Sequence, residues 1–277
     1  MERVKKPEWL KVKLGDNRQF SHTKGLLDSN GLHTICSSGR CPNLGDCWGR
    51  GTATLMIGGD ICTRSCKFCN TKTGKPMPPD AGEPQRVADA IREMSLKYAV
   101  ITSVDRDDLP DLGAQHWADT LATIRRVNPE TVIEVLIPDF RGRKELLDVV
   151  LLAKPDVVGH NMETVRRLTP EVRSAAQFDI SLSVLRHISE RGFESKTGLM
   201  LGLGETEPEL LEALREIAQT GCRRLTLGQY LQPTRKHWPV AEYIHPDRFA
   251  AYKEMALSMG FAHVESGPLV RSSYHAC

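Results

Sequence analysis

The sequence predicts an α/β fold, a partial parallel β/α barrel of six strands, on three observations. Of the 277 residues, 40% are hydrophobic and 26% charged, a composition typical of a globular chain with a sizeable core. From residue 52 onward, apolar runs alternate six times with segments of helical periodicity, as parallel strands alternate with crossover helices. Polar residues follow every apolar run, and a barrel gathers all such strand ends around one mouth, whereas a doubly wound sheet uses only its switch point.

The individual elements follow from the same alternation of patterns. Pro84, Pro208 and Pro246 mark helix starts, where a missing N–H is harmless, and glycines follow several of the helical segments. The strands are predicted at 53–58, 98–104, 132–137, 156–160, 197–202 and 224–231. The helices are predicted at 84–96, 114–127, 141–153, 163–190 (broken), 207–220 and 246–259.

The chain divides into three segments by pattern. Residues 1–51 are polar and turn-rich with little periodicity, which predicts an N-terminal extension wrapped on the main fold. Residues 52–260 carry the strand–helix alternation of the barrel, and residues 261–277 form a C-terminal tail. A bound metal cluster would substitute for a hydrophobic core in the N-terminal extension.

Several function classes are excluded by composition and motif. The net charge is +2, too small to indicate nucleic-acid binding. No apolar run reaches the length of a membrane-spanning helix, and the start Met1–Lys6 has no signal-peptide apolar region, so we expect a cytoplasmic protein. The sequence also lacks G-x-G-x-x-G, a Walker lysine loop and H-E-x-x-H, the motifs of nucleotide phosphate binding and zinc peptidase chemistry.

Six of the eight cysteines fall into two groups of three. A reducing compartment does not preserve structural disulfides, so the groups need another role. Soft thiolates at spacings of two to five residues indicate a metal centre. Groups of three cysteines indicate an iron–sulfur cluster, because a structural zinc site takes four ligands. We call them the first trio (Cys36, Cys41 and Cys47, C-x4-C-x5-C) and the second trio (Cys62, Cys66 and Cys69, C-x3-C-x2-C).

Buried core cysteines are the competing interpretation. The residues between Cys62 and Cys69 are polar or cationic apart from Phe68, which predicts an exposed loop. Cys222 lies between a helical pattern and a strand, and there a buried thiol is expected. Cys277 is the last residue, where chain ends fray.

The second trio, with Phe68 before its last cysteine, resembles the signature of the radical S-adenosylmethionine (radical SAM) superfamily. Three cysteines leave one iron of a 4Fe-4S cluster open. The resemblance implies that the amino and carboxylate groups of S-adenosylmethionine chelate this iron, and that one electron from the cluster releases a 5′-deoxyadenosyl radical. It also implies a partial barrel, in agreement with the strand pattern.

The chain more narrowly resembles the lipoyl synthase family over nearly its whole length. One departure is Leu112, where the family usually has glycine, and this leaves the local loop shape open. The matching stretches are KPEWLK from Lys6, CSSGRCPNLGDCW from Cys36, TATLMIGGDICTRSCKFC from Thr52, TSVDRDDL from Thr102, HNMETV from His160, KTGLMLGLGE from Lys196, LTLGQYLQPTRKHWPV from Leu225 and GPLVRSSYHA from Gly267.

The resemblance implies two 4Fe-4S clusters. The second trio would hold the S-adenosylmethionine cluster, and the first trio, with Ser273 of the RSSY stretch as fourth ligand, would hold an auxiliary cluster that donates its sulfides. The N-terminal and C-terminal extensions would thus carry the auxiliary-cluster ligands. Ligand chemistry alone would have favoured Cys277, Cys222 or His33 over a hydroxyl, but a weakly held oxygen suits a cluster that is dismantled during turnover.

The implied reaction inserts sulfur at the sixth and eighth carbons of an octanoyl chain on a carrier lysine. Those carbons are unactivated: they carry neither an acidic hydrogen for general acid–base catalysis nor a leaving group for nucleophilic attack. Only hydrogen-atom abstraction remains. The implied partners are octanoylated lipoyl carrier domains (2-oxoacid dehydrogenase E2 subunits and the glycine cleavage H protein), an electron donor such as ferredoxin or flavodoxin, and cluster-repair proteins.

Cofactor and substrate contacts are expected in the cysteine loop and at the strand ends that face the mouth. For the acidic run after Thr102, helix capping and loop solvation beside Arg106 are an equally good interpretation. Arg271, beside Ser273, is a candidate substrate clamp, and Lys5, Lys6, Lys11 and Lys13 are either an acidic-carrier docking face or solvated surface. The expected cofactor contacts are Phe68, Ser103, Asp105, Asn161, Glu163 and Leu199.

Two alternatives stay open from the sequence. Another radical SAM enzyme with a sulfur-donating cluster, of the biotin synthase or methylthiotransferase type, would differ in its acceptor. A non-enzymatic electron carrier or a zinc module would differ in its metal and sulfide content.

Overall fold

A computed structural model describes residues 6–12 and 16–273, and these form two compact units. The N-terminal unit contains residues 12, 16–65 and 70–158, and the C-terminal unit contains residues 6–11, 66–69 and 159–273. Lys5, Lys13 and Cys277, which the sequence singled out, lie outside the described residues. Among the described residues, no helix has both the length and the apolar character needed to cross a membrane.

The N-terminal unit combines a mostly parallel sheet with helices. Its hydrogen-bonded strand order is β1-β2-β5-β6-β7; β1 runs antiparallel to β2, whereas β2, β5 and β6 run parallel to one another. The elements are α1 (Asn17–Ser29), β1 (His33–Thr34), α2 (Ile35–Ser38), α3 (Leu44–Gly49), β2 (Thr54–Ile57), β3 (Ile61–Cys62), β4 (Lys72–Thr73), α4 (Glu83–Glu93), β5 (Tyr98–Ser103), α5 (Ala114–Val127), β6 (Val132–Leu136), a 3-10 helix (Phe140–Gly142), α6 (Lys144–Leu152) and β7 (Val157–Gly159), whose last residue belongs to the C-terminal unit.

The C-terminal unit contains three parallel strands in the order β8-β9-β10. The register pairs Leu199 of the first strand with Leu227 of the second, and Leu227 in turn with Ser266 of the third. The elements are a 3-10 helix (Glu8–Leu10), α7 (Thr169–Val172), α8 (Phe178–Glu190), β8 (Glu194–Leu201), α9 (Glu207–Ala218), β9 (Arg224–Gln229), α10 (Pro246–Ser258) and β10 (His263–Gly267).

Local sequence explains where these elements begin and what they bury. Every residue of β2 is buried, as a strand covered on both faces requires. Helix α9 begins at a capping box in which Thr206 and Glu209 satisfy each other's backbone N–H groups. Proline occupies the first turn of α4, α9 and α10, as predicted from Pro84, Pro208 and Pro246.

The six predicted strands and the predicted helices after residue 52 are present, with α7 and α8 accounting for the broken segment. The structure adds to the sequence analysis in two places. Residues 17–29 form a regular helix, although residues 1–51 show little periodicity in the sequence. The strand count of six is not confirmed, because β10 pairs in parallel with β9 and β1 adds an antiparallel strand to β2. The described residues form an α/β fold with a mostly parallel sheet and no closed barrel.

Candidate cluster and cofactor site

The first trio lies in the N-terminal unit, on two short helices and the turn between them. Thr34 caps α2 by accepting the N–H of Ser37 at 3.2 Å, and this start fixes Cys36 in the first turn. The N–H of Cys41 donates to the carbonyl of Cys36 at 2.9 Å. None of the seven cysteines that the structure describes forms a disulfide, so the thiols remain available as ligands.

The thiols of the first trio lie close enough to influence one another's charge. Burial raises the pKa of Cys36, and the neighbouring Cys41 thiolate raises it further. Burial, Cys36 and Cys41 together raise the pKa of Cys47 to about 11. Burial and the neighbouring thiolates disfavour ionisation of these thiols, against a smaller opposite effect of Arg50 on Cys47. A cationic centre that binds the deprotonated form would stabilise the three thiolates together.

Hydrogen-bond donors surround the sulfur of Cys36. The backbone N–H and the hydroxyl of Thr54 and the indole N–H of Trp48 lower its pKa against the effect of burial. Trp48 is buried, its indole N–H has no hydrogen-bond partner among the described residues, and its effect on the pKa of Cys36 is the smallest of the three. Donors aimed at a cysteine sulfur are a feature of iron–sulfur ligation, where they adjust the cluster potential.

Cys62, the first residue of the second trio, belongs to the N-terminal unit. Its sulfur accepts the N–H groups of Arg64 at 3.4 Å and of Asp105 at 3.3 Å, and its thiol lies 3.6 Å from the Asp105 carboxylate. Burial raises the pKa of Asp105, while Arg64 opposes the rise. Two backbone donors on one sulfur again fit a thiolate that ligates a cluster.

Cys66 and Cys69 belong to the C-terminal unit. The N–H of Cys69 donates to the carbonyl of Cys66 at 3.0 Å, which closes a tight turn between them. The Cys66 sulfur lies 3.9 Å from the hydroxyl of Ser174. The ring of Phe68 is partly buried against the apolar core of this unit, so it anchors the turn.

The donor set distinguishes a cluster from a single metal ion. Within the described ranges, no three Cys, His, Asp or Glu side chains converge as ligands of one ion would. In a 4Fe-4S cluster each thiolate binds a different iron, so the sulfurs do not converge on one point. Soft donors in threes with N–H groups aimed at sulfur fit such clusters.

Two expected cofactor contacts, Ser103 and Asp105, lie at and just after the carboxyl end of β5. The hydroxyl of Ser103 accepts the indole N–H of Trp117 at 3.2 Å, which gives this serine a structural partner. Asp105 is held against Cys62 as described above.

The other expected cofactor contacts in the C-terminal unit are Asn161, Glu163 and Leu199. The Asn161 amide donates to the Glu163 carboxylate at 3.1 Å and to the Ser272 hydroxyl at 2.9 Å. Glu163 has a φ of +66° and pairs through its backbone with Leu199, and burial raises the pKa of its carboxyl. The Leu199 side chain lies in the core, so only its backbone is placed to meet a ligand.

The C-terminal tail crosses β9 at a glycine. A Cβ on Gly228 would lie 2.2 Å from the carbonyl oxygen of Val270, so only glycine allows this approach. The guanidinium of Arg271 donates to the same carbonyl. Ser273 is half-buried and is the last residue that the structure describes.

Comparison with known proteins decides the family. A model of the radical SAM superfamily matches residues 56–217. The lipoyl synthase of Parabacteroides distasonis is 62% identical over 275 residues, which cover 99% of this chain and 98% of that protein. The lipoyl synthase of Porphyromonas gingivalis is 58% identical over 276 residues, which cover 99% of this chain and 98% of that protein. The chain belongs to the lipoyl synthase family.

Solved structures with low identity share the fold of this lipoyl synthase family member. Methylornithine synthase (PylB) has a TM-score of 0.57 at 12% identity and covers 95% of this chain and 79% of its own. Streptococcus suis SuiB bound to the precursor peptide SuiA has a TM-score of 0.62 at 10% identity, covering 89% of this chain and 52% of its own. Both matches support the fold alone.

Sequence reasoning missed the charge cluster that anchors the cysteine loop in this lipoyl synthase family member. Arg64 is buried and donates to the carboxylates of Asp107 and Asp139 at 2.7–3.0 Å. Asp108 instead pairs with Arg106 at 2.9 Å, the arginine beside which the alternative interpretation placed the acidic run. The available signal was an arginine between Cys62 and Cys66, but its partners are 43 and 75 residues away in sequence.

The remaining expectations concern lysines and the solitary cysteines. Lys6 is exposed, and the exposed Lys11 pairs with Glu8 at 2.9 Å, an arrangement of solvated surface that contributes little to stability. Cys222 is buried, as expected, and burial raises the pKa of its thiol to about 11.

Proposed function

We propose that this chain inserts two sulfur atoms, at the sixth and eighth carbons of a protein-bound octanoyl-lysine, to make the lipoyl cofactor. The sequence identity to lipoyl synthases over the full chain supports the reaction. Two 4Fe-4S clusters and S-adenosylmethionine, when bound, supply hydrogen-atom abstraction from unactivated carbon and the sulfur that replaces the hydrogen.

One observation carries the proposal that both clusters serve a single acyl chain. Asn70, directly after Cys69 in sequence, donates its side-chain amide to the carbonyl of Ser38 at 2.9 Å. Ser38 ends the helix that carries Cys36. This hydrogen bond joins the residue after Cys69 to the helix of Cys36 within the N-terminal unit. It supports a reaction in which one carbon meets both clusters.

The ligand sets in this proposal are the second trio for the S-adenosylmethionine cluster and the first trio plus Ser273 for the auxiliary cluster. The backbone N–H groups of Arg64 and Asp105 would hold the Cys62 thiolate through its sulfur. Trp48 and Thr54 would do the same for Cys36. These donors favour the deprotonated, ligand-competent form of each thiol.

The polar groups at the strand ends would bind and orient the cofactor. In this proposal Asn161 and Glu163 offer an amide and a carboxylate to its hydroxyl and amino groups, with Ser103, Asp105, Phe68 and the Leu199 backbone as further contacts. Arg271 would clamp the substrate arm from the tail. We further propose a partial barrel with auxiliary-cluster ligands on both extensions, divided at residues 51 and 260.

The partners of the proposed reaction are octanoylated carrier domains, namely 2-oxoacid dehydrogenase E2 subunits and the glycine cleavage H protein. An electron donor such as ferredoxin or flavodoxin and cluster-repair proteins complete the cycle. We place the reaction in the cytoplasm, where thiols stay reduced and can accept clusters.

An anaerobic assay tests the proposal. Reduced, reconstituted protein with S-adenosylmethionine and an octanoyl-lysine peptide should yield a dithiol product heavier by two sulfur atoms, in which two C–H bonds have become two C–SH bonds. Iron and acid-labile sulfide should each approach about eight per chain, as two 4Fe-4S clusters require. Cys62→Ala and Cys36→Ala should each lose about half of the iron, whereas Cys222→Ala should keep it.

Three outcomes would contradict the proposal. A product without a two-sulfur gain would reject lipoyl synthesis. Zinc without acid-labile sulfide would indicate a zinc module, and full iron content in both cysteine variants would reject the ligand assignment.

A further inference from the structure

The segment after β9, residues 232–240, supplies none of the proposed cluster ligands or cofactor contacts. It belongs to the QPTRKHWPV stretch of the sequence and lies in the C-terminal unit together with Cys66–Cys69. Its side chains and backbone contact the turn that carries two cysteines of the second trio, in a geometry that hydrogen bonds define.

Two hydrogen bonds join this segment to the cysteine turn. The N–H of Trp238 donates to the carbonyl of Lys67 at 2.9 Å, and the Nε2 atom of His237 lies 3.0 Å from the carbonyl oxygen of Cys69. On the other side, the N–H of Lys67 donates to the carbonyl of Val172 at 2.8 Å. The turn is therefore held from two directions.

The hydrogen-bond partners of His237 fix its tautomer. A carbonyl oxygen only accepts, so Nε2 carries the proton that it donates to Cys69. In the neutral ring Nδ1 is then the acceptor, and the hydroxyl of Thr234 lies 2.8 Å away to donate to it. The ring is thus oriented from one side so that it can hold a carbonyl on the other.

The segment itself rests on buried groups. The hydroxyl of Tyr230, which is 1% exposed, donates to the carbonyl of Trp238 at 2.6 Å. The indole N–H of Trp238 donates to the carbonyl of Leu203 at 2.9 Å. The Gln232 amide donates to the carbonyl of His237 at 2.8 Å, so the His237 backbone is fixed as well.

We propose that His237, oriented by Thr234, is a positioning residue for the second trio, holding the Cys69 carbonyl so that the Cys66–Cys69 turn is ordered before a cluster binds. A turn ordered in advance loses less conformational entropy on binding. The inference rests on the proposed ligand role of the second trio, but the ordering of the turn is a property of the chain alone.

Amide hydrogen exchange on the metal-free full-length chain tests the ordering directly. His237→Ala should speed exchange at the Lys67 and Trp238 N–H groups by about tenfold, the loss expected for one good hydrogen bond. Thr234→Val should give a smaller increase in the same amides. His237→Gln, whose amide can still donate, should restore part of the protection, and the exposed His263→Ala should match wild type.

Iron release measures the consequence for cluster binding. After anaerobic reconstitution, a chelator should remove iron from the second-trio cluster three- to tenfold faster in His237→Ala than in wild type or His263→Ala. The electron paramagnetic resonance signal of the reduced cluster identifies the site that loses iron.

The two measurements separate the possible failures. Equal exchange rates in His237→Ala, Thr234→Val and wild type would overturn the positioning role. Altered exchange in a chain whose second trio binds no cluster would preserve the ordering of the turn and reject the ligand assignment instead. Altered exchange with unchanged iron release would show that the ordering does not serve the cluster, and would overturn the proposal.

Discussion

The side-chain amide of Asn161 donates a hydrogen bond to the hydroxyl of Ser272, 2.9 Å away, across 111 residues of sequence. Asn161 follows β7, and Ser272 immediately precedes the proposed ligand Ser273. The sequence suggested a cofactor contact for Asn161, whereas this bond gives it a partner in the protein. One residue thereby connects the proposed cofactor contacts with the tail.

Ser272→Ala removes this bond and leaves the rest of the tail in place. The net contribution of such a bond is about 0.5–1.5 kcal/mol, so sulfur insertion should fall roughly two- to tenfold. The measurement is the rate of two-sulfur product formation, alongside the iron content. The exposed Ser258→Ala is the matched control, and a Ser272→Ala protein with the wild-type rate would contradict a positioning role for the bond.

Gly228→Ala tests whether the position of the C-terminal tail against β9 matters for activity. The added Cβ would lie 2.2 Å from the Val270 carbonyl oxygen, so the tail backbone must shift. We expect product formation to fall more than about tenfold, because even a small misplacement at a reacting centre is costly. Gly25→Ala, where no atom lies within 4 Å of the new Cβ, should keep wild-type activity. Equal activity in the two variants would show that the position of the tail does not matter.

Arg64 anchors the cysteine loop through ionic hydrogen bonds. Its side chain is 5% exposed and pairs with Asp107 and Asp139, so Arg64→Ala leaves buried carboxylates without their counter-charge. We expect a loss of about 3–5 kcal/mol in the free energy of unfolding, as for other broken buried pairs. Arg64→Lys should lose less, although a point charge cannot replace two bidentate contacts.

Denaturant unfolding of the metal-free chain measures the effect. The matched control is Arg141→Ala, since Arg141 also contacts Asp107, at 3.4 Å, but its side chain is 58% exposed. The control should change the free energy of unfolding by less than about 1 kcal/mol. Similar losses in the Arg64→Ala and Arg141→Ala proteins would contradict the buried-anchor interpretation.

Short-range patterns predicted much of this fold, whereas long-range pairing was inaccessible from the sequence. The apolar runs at β2 and β5 are local signals, and so is the spacing of the second trio. Strand β10 was not predicted, because His263–Gly267 is short and only one of its residues is buried. The contact between His237 and Cys69 joins residues 168 apart, and no periodicity encodes such a pairing.

Leu112 illustrates how the structure resolves a departure from the family pattern. Its φ is +54° and that of Gly113 is +85°, so the position keeps the left-handed conformation that glycine favours. The side chain is 7% exposed, and its burial stabilises by about 1.5–3 kcal/mol. That gain matches or outweighs the left-handed strain of about 1–2 kcal/mol, which explains how leucine is tolerated there.

The stability order at position 112 follows from these two contributions. Leu112→Gly should lower the free energy of unfolding by no more than about 2 kcal/mol, since relieved strain offsets much of the lost burial. Leu112→Ala should be less stable than Leu112→Gly, because alanine loses the burial and keeps the strain. Denaturant unfolding gives the order, and an alanine variant more stable than the glycine variant would contradict the left-handed geometry.

Glu209 should give α9 a distinct acid dependence. Arg167, at 2.6 Å, and the backbone N–H of Thr206 lower the pKa of Glu209 from 4.5 to about 2. Because the folded state favours the carboxylate, its stabilising contribution is present above the unfolded pKa and is lost as the pH falls from about 4.5 toward 2. Glu209 and Arg167 are partly exposed, so water screens the pair and the contribution is about 0.5–1 kcal/mol.

Glu209→Gln should lose this contribution at pH 6 and differ less from wild type at pH 3. Denaturant unfolding of the metal-free chain at both pH values measures the difference, with Glu212→Gln in the same helix as control. The Glu212→Gln protein should follow the wild-type pH dependence, since the Thr206 cap and the Arg167 contact both involve Glu209. Equal losses of stability between pH 6 and pH 3 in wild type and Glu209→Gln would show that the lowered pKa of Glu209 does not contribute to the acid sensitivity of the fold.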